Sequence, residues 1–179
     1  LKTISMLRSE APDIAVSATA ALPDVLTQRL IEGTLDLAVM YRPIQPPGHT
    51  VEHLFDEEFV LVTSGRAGQR KGNTDYVFIN WGPDFQQDHA AAYPELIKPG
   101  LSLDLGSMPL EYVLANELSA YFPMRLVKSY LSRGRLKQPK RARRFVYPVY
   151  LVYPEARDEE AYEPILDRLR RECGRYASD

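Results

Sequence analysis

EGTLDLAVMYRP, residues 32–43, is the stretch whose reading decides the fold. Leu35 to Tyr41 is an apolar run broken only by Asp36. A continuous run of this kind is expected of a strand covered on both faces of a parallel sheet. Before it, Leu22 to Glu32 carries Leu22, Val25, Leu26 and Leu30 at helical spacing, with Gly33 as the stop. Earlier still, Ile14 to Ala18 reads as a strand, so the three segments predict a βαβ unit with a right-handed crossover. The run ends in Tyr41-Arg42-Pro43, an aromatic and a cation at the carboxyl end of a strand. In open α/β sheets that end is where ligands bind. Asp36 lies at the opposite end and reads as structural, bonding nearby backbone N–H groups.

Outward from this unit the alternation continues. Leu1 to Glu10 has helical spacing and is ended by Ala11-Pro12-Asp13. Val51–Phe55 and Glu58–Thr63 read as two strands, and 64–74 has the composition of a linker. A second α/β block follows: strand Asp75–Trp81, helix Asp84–Tyr93, strand Leu101–Leu105 and helix Pro109–Asn116 capped by Ser107. Strand Leu118–Phe122 and helix Arg125–Ser132, stopped by Gly134, complete it. Phe145 to Tyr153 is a strand interrupted by Pro148, which predicts an edge or a bend there. The last helix has the clearest period, with Tyr162, Ile165, Leu166, Leu169, Cys173 and Tyr176 on one face. The expected division is lobe I from 1–66 and 139–179, and lobe II from 67–138. The final strand and helix return to the first lobe, so the chain crosses between lobes twice.

Bulk properties narrow the function. The chain has 179 residues, 26% charged and 45% hydrophobic, with a net charge of −2. That length can bury a sizeable core, and the charge argues against a protein whose main task is to coat nucleic acid. One cysteine excludes an internal disulfide and fits a cytoplasmic setting. No apolar run approaches the ~20 residues of a membrane helix. The chain opens at Leu1, already at helical spacing, and reads as a fragment of a longer protein.

Several motifs resemble one family, the effector-binding domain of LysR-type transcriptional regulators. Glu10 to Val16, EAPDIAV, matches its turn into a strand. Leu30 to Val39, LIEGTLDLAV, and Val51 to Val62, VEHLFDEEFVLV, match its most specific block. Ala115-Asn116 with Ser119 to Pro123 matches a more divergent segment, whose usual glycines are absent and whose strand carries Tyr121-Phe122. The resemblance covers essentially the whole chain. It implies an α/β, two-lobed fold like type II periplasmic binding proteins, with a small-molecule effector between the lobes. It also implies a homodimer or homotetramer and DNA contact through an N-terminal winged helix-turn-helix. That domain, its linker helix and the family's first regulatory-domain strand lie outside this sequence. Two other readings share the fold: a solute-binding protein of a transport system, and an enzyme on the same scaffold.

The candidate effector residues are strand ends and one helix start. Tyr41 and Arg42 close the first lobe's strand, and Arg42 suits a carboxylate; the alternative is a surface arginine. Asn80, Trp81 and Gly82 close the first strand of the second lobe, the sole tryptophan offering an aromatic wall or a core side chain. Gly106, Ser107 and Met108 precede a helix and suit an anion, or a simple cap. Tyr121 needs a partner for its hydroxyl, whereas Phe122 suits the core. KQPKRARR, residues 137–144, holds five basic residues in eight. A phosphate-binding patch is one reading and a solvated connection is the favoured one. His49, His53 and His89 have no metal-ligand spacing. Glu57-Glu58 and Glu159-Glu160 diverge in direction and make no catalytic pair. Cys173 is expected to be buried and inert. No cofactor, metal or catalytic motif is read.

Overall fold

The computed structural model describes residues 14–65, 75–96, 100–103 and 108–177. The expected helix over 1–10 and the glycine-rich run 66–74 lie outside them. The chain divides into two compact units, Leu1–Asp56 with Pro148–Asp179, and Glu57–Tyr147. These divisions fall inside two long strands.

In the first unit, helix α1 spans Pro23–Ile31. Proline at its first position costs no intrahelical bond. It ends in a Schellman motif: Gly33 N–H donates to Leu30 O at 3.1 Å and Thr34 N–H to Arg29 O at 3.0 Å. Gly33 takes φ +68°, the left-handed conformation this turn requires. Strand β1 is Ala38–Tyr41, β2 is His49–Ser64 and β7 is Phe145–Pro154. β1 and β7 are antiparallel, with Ala38 opposite Val152 and Tyr41 opposite Val149, and β7 lies between β1 and β2. Helix α5, Glu159–Ala177, sets Leu166 and Leu169 against Leu151 and Tyr153 of β7. Leu26 and Leu30 of α1 pack with Ala38, Met40 and Val152. Cys173 is buried against Phe55 and Val149.

Four expectations fail here for physical reasons. Ile14–Ala18 forms no strand and is largely exposed; strand propensity needs a ladder, and among the described residues this segment has none. The parallel βαβ unit at 14–41 is therefore not present. β1 is not covered on both faces: burial alternates along it and Val39 is 41% exposed. The strand that does fit that description is β7, whose Val152 meets α1 while Leu151 and Tyr153 meet α5. Pro148 marks no edge either. It sits one residue beyond the last β1 pair, where its missing N–H breaks no β1 ladder bond, and its carbonyl accepts from Arg42 N–H at 3.4 Å. The two strands read at 51–63 are one, since Asp56 and Glu57 do not interrupt β2.

In the second unit the later half of β2 pairs antiparallel with β5, Ser119–Pro123, from Phe59 opposite Pro123 to Thr63 opposite Ser119. Its end also pairs with β6, Leu136–Lys137, through Thr63 and Ser64. β3, Val77–Ile79, runs parallel to β4, Leu101–Leu103, with α2, Pro83–Ala92, in the crossover between them. Helices α3, Met108–Asn116, and α4, Met124–Ser132, flank β5. Val60, Val62, Val77, Ile79, Val113, Ala120, Phe122 and Val127 form a mainly aliphatic core. Phe59 and Tyr121 alternate with these residues along β2 and β5, and so face the other way.

Candidate functional site

In the first unit, Tyr41 is half-buried beside Phe55, Val149 and Cys173, which anchors the end of β1. The next residue, Arg42, is exposed and has φ +38°. A residue before proline is pushed toward extended backbone, and one with a Cβ rarely adopts positive φ. Arg42 breaks both rules at once. Such strain persists only where the surroundings hold it, and it concentrates at ligand sites. At the far end of the run, Asp36 accepts a hydrogen bond from the Tyr162 hydroxyl. Burial first, then Asp36, pushes the Tyr162 phenol up.

The same unit carries an ion network that the sequence reading missed. Arg170 on α5 grips Glu52 on β2 with both arms, Nε to Oε1 at 2.8 Å and Nη2 to Oε2 at 2.9 Å. Its Nη1 reaches Asp167 at 2.9 Å and Glu163 at 3.2 Å. Arg157 completes the group, donating to Glu163 at 2.5 Å and lying over the Tyr153 ring at 4.8 Å. The Arg170 guanidinium holds the Glu52 carboxyl below its usual range. Paired and planar, these groups fasten helix to strand.

In the second unit, Asn80, Trp81, Gly82 and Tyr121 come together; Tyr41 and Arg42 belong to the other unit. Asn80 follows β3, its N–H on Leu103 O at 2.9 Å and its Oδ1 accepting from Gly82 N–H at 3.1 Å. Gly82, at φ +115°, is the N-cap of α2 and has no side-chain cap; only glycine takes that conformation without strain. The indole N–H of half-buried Trp81 donates to Tyr121 O at 2.9 Å. Its ring meets Phe59 and Phe122 edge-on. This is the carboxyl end of a parallel strand pair with a helix starting beside it, the placement at which α/β sheets bind ligands. Met108 opens α3, while Gly106 and Ser107 lie outside the described residues.

Tyr121 is 1% exposed. Its hydroxyl donates to Arg143 O at 2.9 Å, so at 2.8 Å it must accept from Tyr93, whose oxygen accepts Arg143 N–H at 3.0 Å. Every proton in this ring has one direction. Burial foremost, then the bond with Tyr93, pushes the Tyr121 phenol far up, so it keeps its proton. Around it lies an aromatic cluster of Phe59, Phe85, His89, Phe145 and Tyr147. His89 bonds Tyr76 at 2.7 Å through Nε2. Burial, outweighing Glu95, lowers the His89 value, and burial raises that of Tyr76, so both rings stay uncharged and share one hydrogen bond whose donor is set by the imidazole tautomer. Phe85 and His89 of α2 and Tyr93, its C-cap, stand four residues apart. That spacing was visible in the sequence but says nothing about which partners the face meets.

Two carboxylates on β2 itself are also paired. Glu57 is buried and takes a short bond from half-exposed Arg125. Burial outweighs that cation and moves its carboxyl up. Glu58 pairs with Arg144 at 2.9 Å. Among the described residues no cluster of three His, Cys, Asp or Glu is placed to hold a metal, and no helix is long and apolar enough to cross a membrane.

Comparison with known proteins bears on the whole chain. The family described as "LysR substrate binding domain" matches residues 1–174. Curated proteins gave no match. Similar solved structures include the regulatory domain of MexT, a transcriptional activator in Pseudomonas aeruginosa, at TM-score 0.74 and 13% identity, covering 95% of this chain and 90% of that one. The reduced OxyR regulatory domain of Pseudomonas aeruginosa matches at 0.70 and 18%, covering 96% and 87%. ArgP from Mycobacterium tuberculosis matches at 0.75 and 19%, covering 96% of this chain and 62% of its own. At these identities the structures show the fold, a type II periplasmic-binding-protein-like α/β architecture. The match over 1–174 shows the family: the chain belongs to the LysR substrate-binding domains of transcriptional regulators.

Proposed function

We propose that this chain is the sensing part of a LysR-type DNA-binding regulator, and that a small effector, anionic or aromatic, binds between its lobes. The observation that carries the reading is the family match over residues 1–174. The strand ends support it. Arg42, strained and exposed, supplies a cation that can pair with a carboxylate. Asn80-Trp81-Gly82 supplies an amide, an aromatic edge and a helix start whose N-cap glycine has no side chain. Effector binding would favour one conformational state and pass it to a DNA-binding domain upstream of this sequence, in a dimer or tetramer.

The sole tryptophan makes the test direct. The chain is melted with and without a panel of small carboxylates and aromatic acids, and Trp81 emission is followed in parallel. A true effector raises the melting temperature in proportion to the logarithm of its concentration and shifts the emission, and Arg42→Ala weakens its binding. If no compound does so, or if Arg42→Ala leaves its binding unchanged, the site assignment is wrong.

A further inference from the structure

From Leu118 to Pro154 the chain has nine basic residues and no acidic one, although the whole chain is net −2. Six of the nine are arginine. Within Glu57–Tyr147 there are thirteen basic and nine acidic residues, a net of +4, so the remainder of the chain is −6.

The fold arranges these charges along one edge. Helix α4 ends in a second Schellman motif, Gly134 N–H on Leu131 O and Arg135 N–H on Tyr130 O, which turns the chain back beside β2. Lys137 stands opposite Thr63. The turn at Pro139–Ala142 follows, and Arg144 reaches Glu58. Lys137 to Arg144 therefore runs along β2 from residue 63 to residue 58, about 17 Å at ~3.3 Å per residue. That is about half of the ~34 Å of one duplex turn. Arg133, Arg135, Lys137, Lys140, Arg141 and Arg143 are all exposed, and none has a carboxylate partner among the described residues. On the other unit Arg157 and Arg170 are both committed to carboxylates.

We infer that this basic edge, centred on Arg133, Lys137, Lys140 and Arg141, is a docking surface for the phosphate backbone of DNA. Charge complementarity argues for a polyanion. Arginine-rich composition argues for phosphate, which the guanidinium fork matches. The inference rests on the reading of this chain as part of a DNA-bound regulator, where DNA is already held close by. The contacts would be sequence-independent and would add affinity and set the path of DNA beyond the recognised site.

The test uses the 179-residue chain and a fluorescent mixed-sequence duplex, titrated from about 50 mM to about 200 mM salt. Salt-dependent binding is expected. Replacing Arg133, Lys137, Lys140 and Arg141 with Gln should weaken it at least tenfold at the lowest salt. The log–log salt slope should become shallower by about 3.6, near 0.9 for each of the four phosphates no longer neutralised. Lys140→Glu with Arg141→Glu should give the same direction, and melting curves verify that both variants fold. Arg171→Gln, an exposed cation on the other unit, should change neither quantity. Equal binding by parent and variant, no binding by the parent, or equally tight binding of poly-glutamate would overturn the inference. None of these outcomes depends on whether any effector raises the melting temperature, so the two readings fail separately.

Discussion

Removing one oxygen, in Tyr121→Phe, should open the closed hydrogen-bond ring of the second unit. The ring packing stays, because phenylalanine keeps nearly all the buried area. What goes is a hydroxyl that accepts from Tyr93 at 2.8 Å and donates to Arg143 O at 2.9 Å. Each orphaned buried group costs about 1–3 kcal/mol. Arg143 is exposed, so water can replace the donor its carbonyl loses. The Tyr93 proton is half-buried and less easily satisfied. The net loss should therefore fall at the low end, about 1–2 kcal/mol. For a chain of this size, that lowers the melting temperature by about 3–6 °C. Thermal denaturation followed by circular dichroism measures it. Tyr93→Phe should cost a similar amount, and the double variant less than the sum, because the ring is broken once. A melting temperature for Tyr121→Phe within about 1 °C of the parent, with additive single effects, would show that the ring contributes nothing to stability.

His89 is buried and its folded-state value is lowered, so between that value and the unfolded one of about 6.5 the unfolded chain binds more protons. Stability should therefore fall as pH drops below about 6.5, and His89→Gln, whose amide can bond Tyr76 as donor or acceptor, should flatten that slope in urea titrations. Arg170→Lys loses the two-armed grip on Glu52 and should lower the urea midpoint despite keeping the charge. Because the Glu52 value is lowered, its contribution is present above about 4.5 and lost as pH falls below it, so parent and Arg170→Lys should converge in acid. Arg42→Gly should hold or raise the melting temperature by relieving the positive φ, and Arg42→Val should lower it by about 2–4 °C; the reverse order would show that Arg42 is not strained.

Elements with a strong local signature were legible in the sequence. The helix over 23–31 was marked by proline at its start, Gly33 at its end and leucines at its spacing. The last helix was marked by its apolar face, and Cys173 was rightly placed in the core. These features depend on residues a few positions apart, so composition and period suffice to see them. The family was legible for a similar reason, since its motifs lie in contiguous blocks around residues 30–62.

Tertiary structure alone decided the rest. Whether an apolar run is covered on one face or two depends on what packs on it: Ala38 and Met40 meet α1 while Val39 on the other face is exposed, and the doubly covered strand proved to be β7. Ile14–Ala18 has the residues of a strand, but backbone hydrogen bonds between strands need a partner that local sequence cannot name. The Tyr93–Tyr121–Arg143 ring joins residues 22 to 50 positions apart. The Glu52–Arg170 pair spans 118. Directional bonds at such separations are fixed only when the chain closes on itself, which is why single residues such as Trp81 and Tyr121 could be picked out in the sequence while their partners could not.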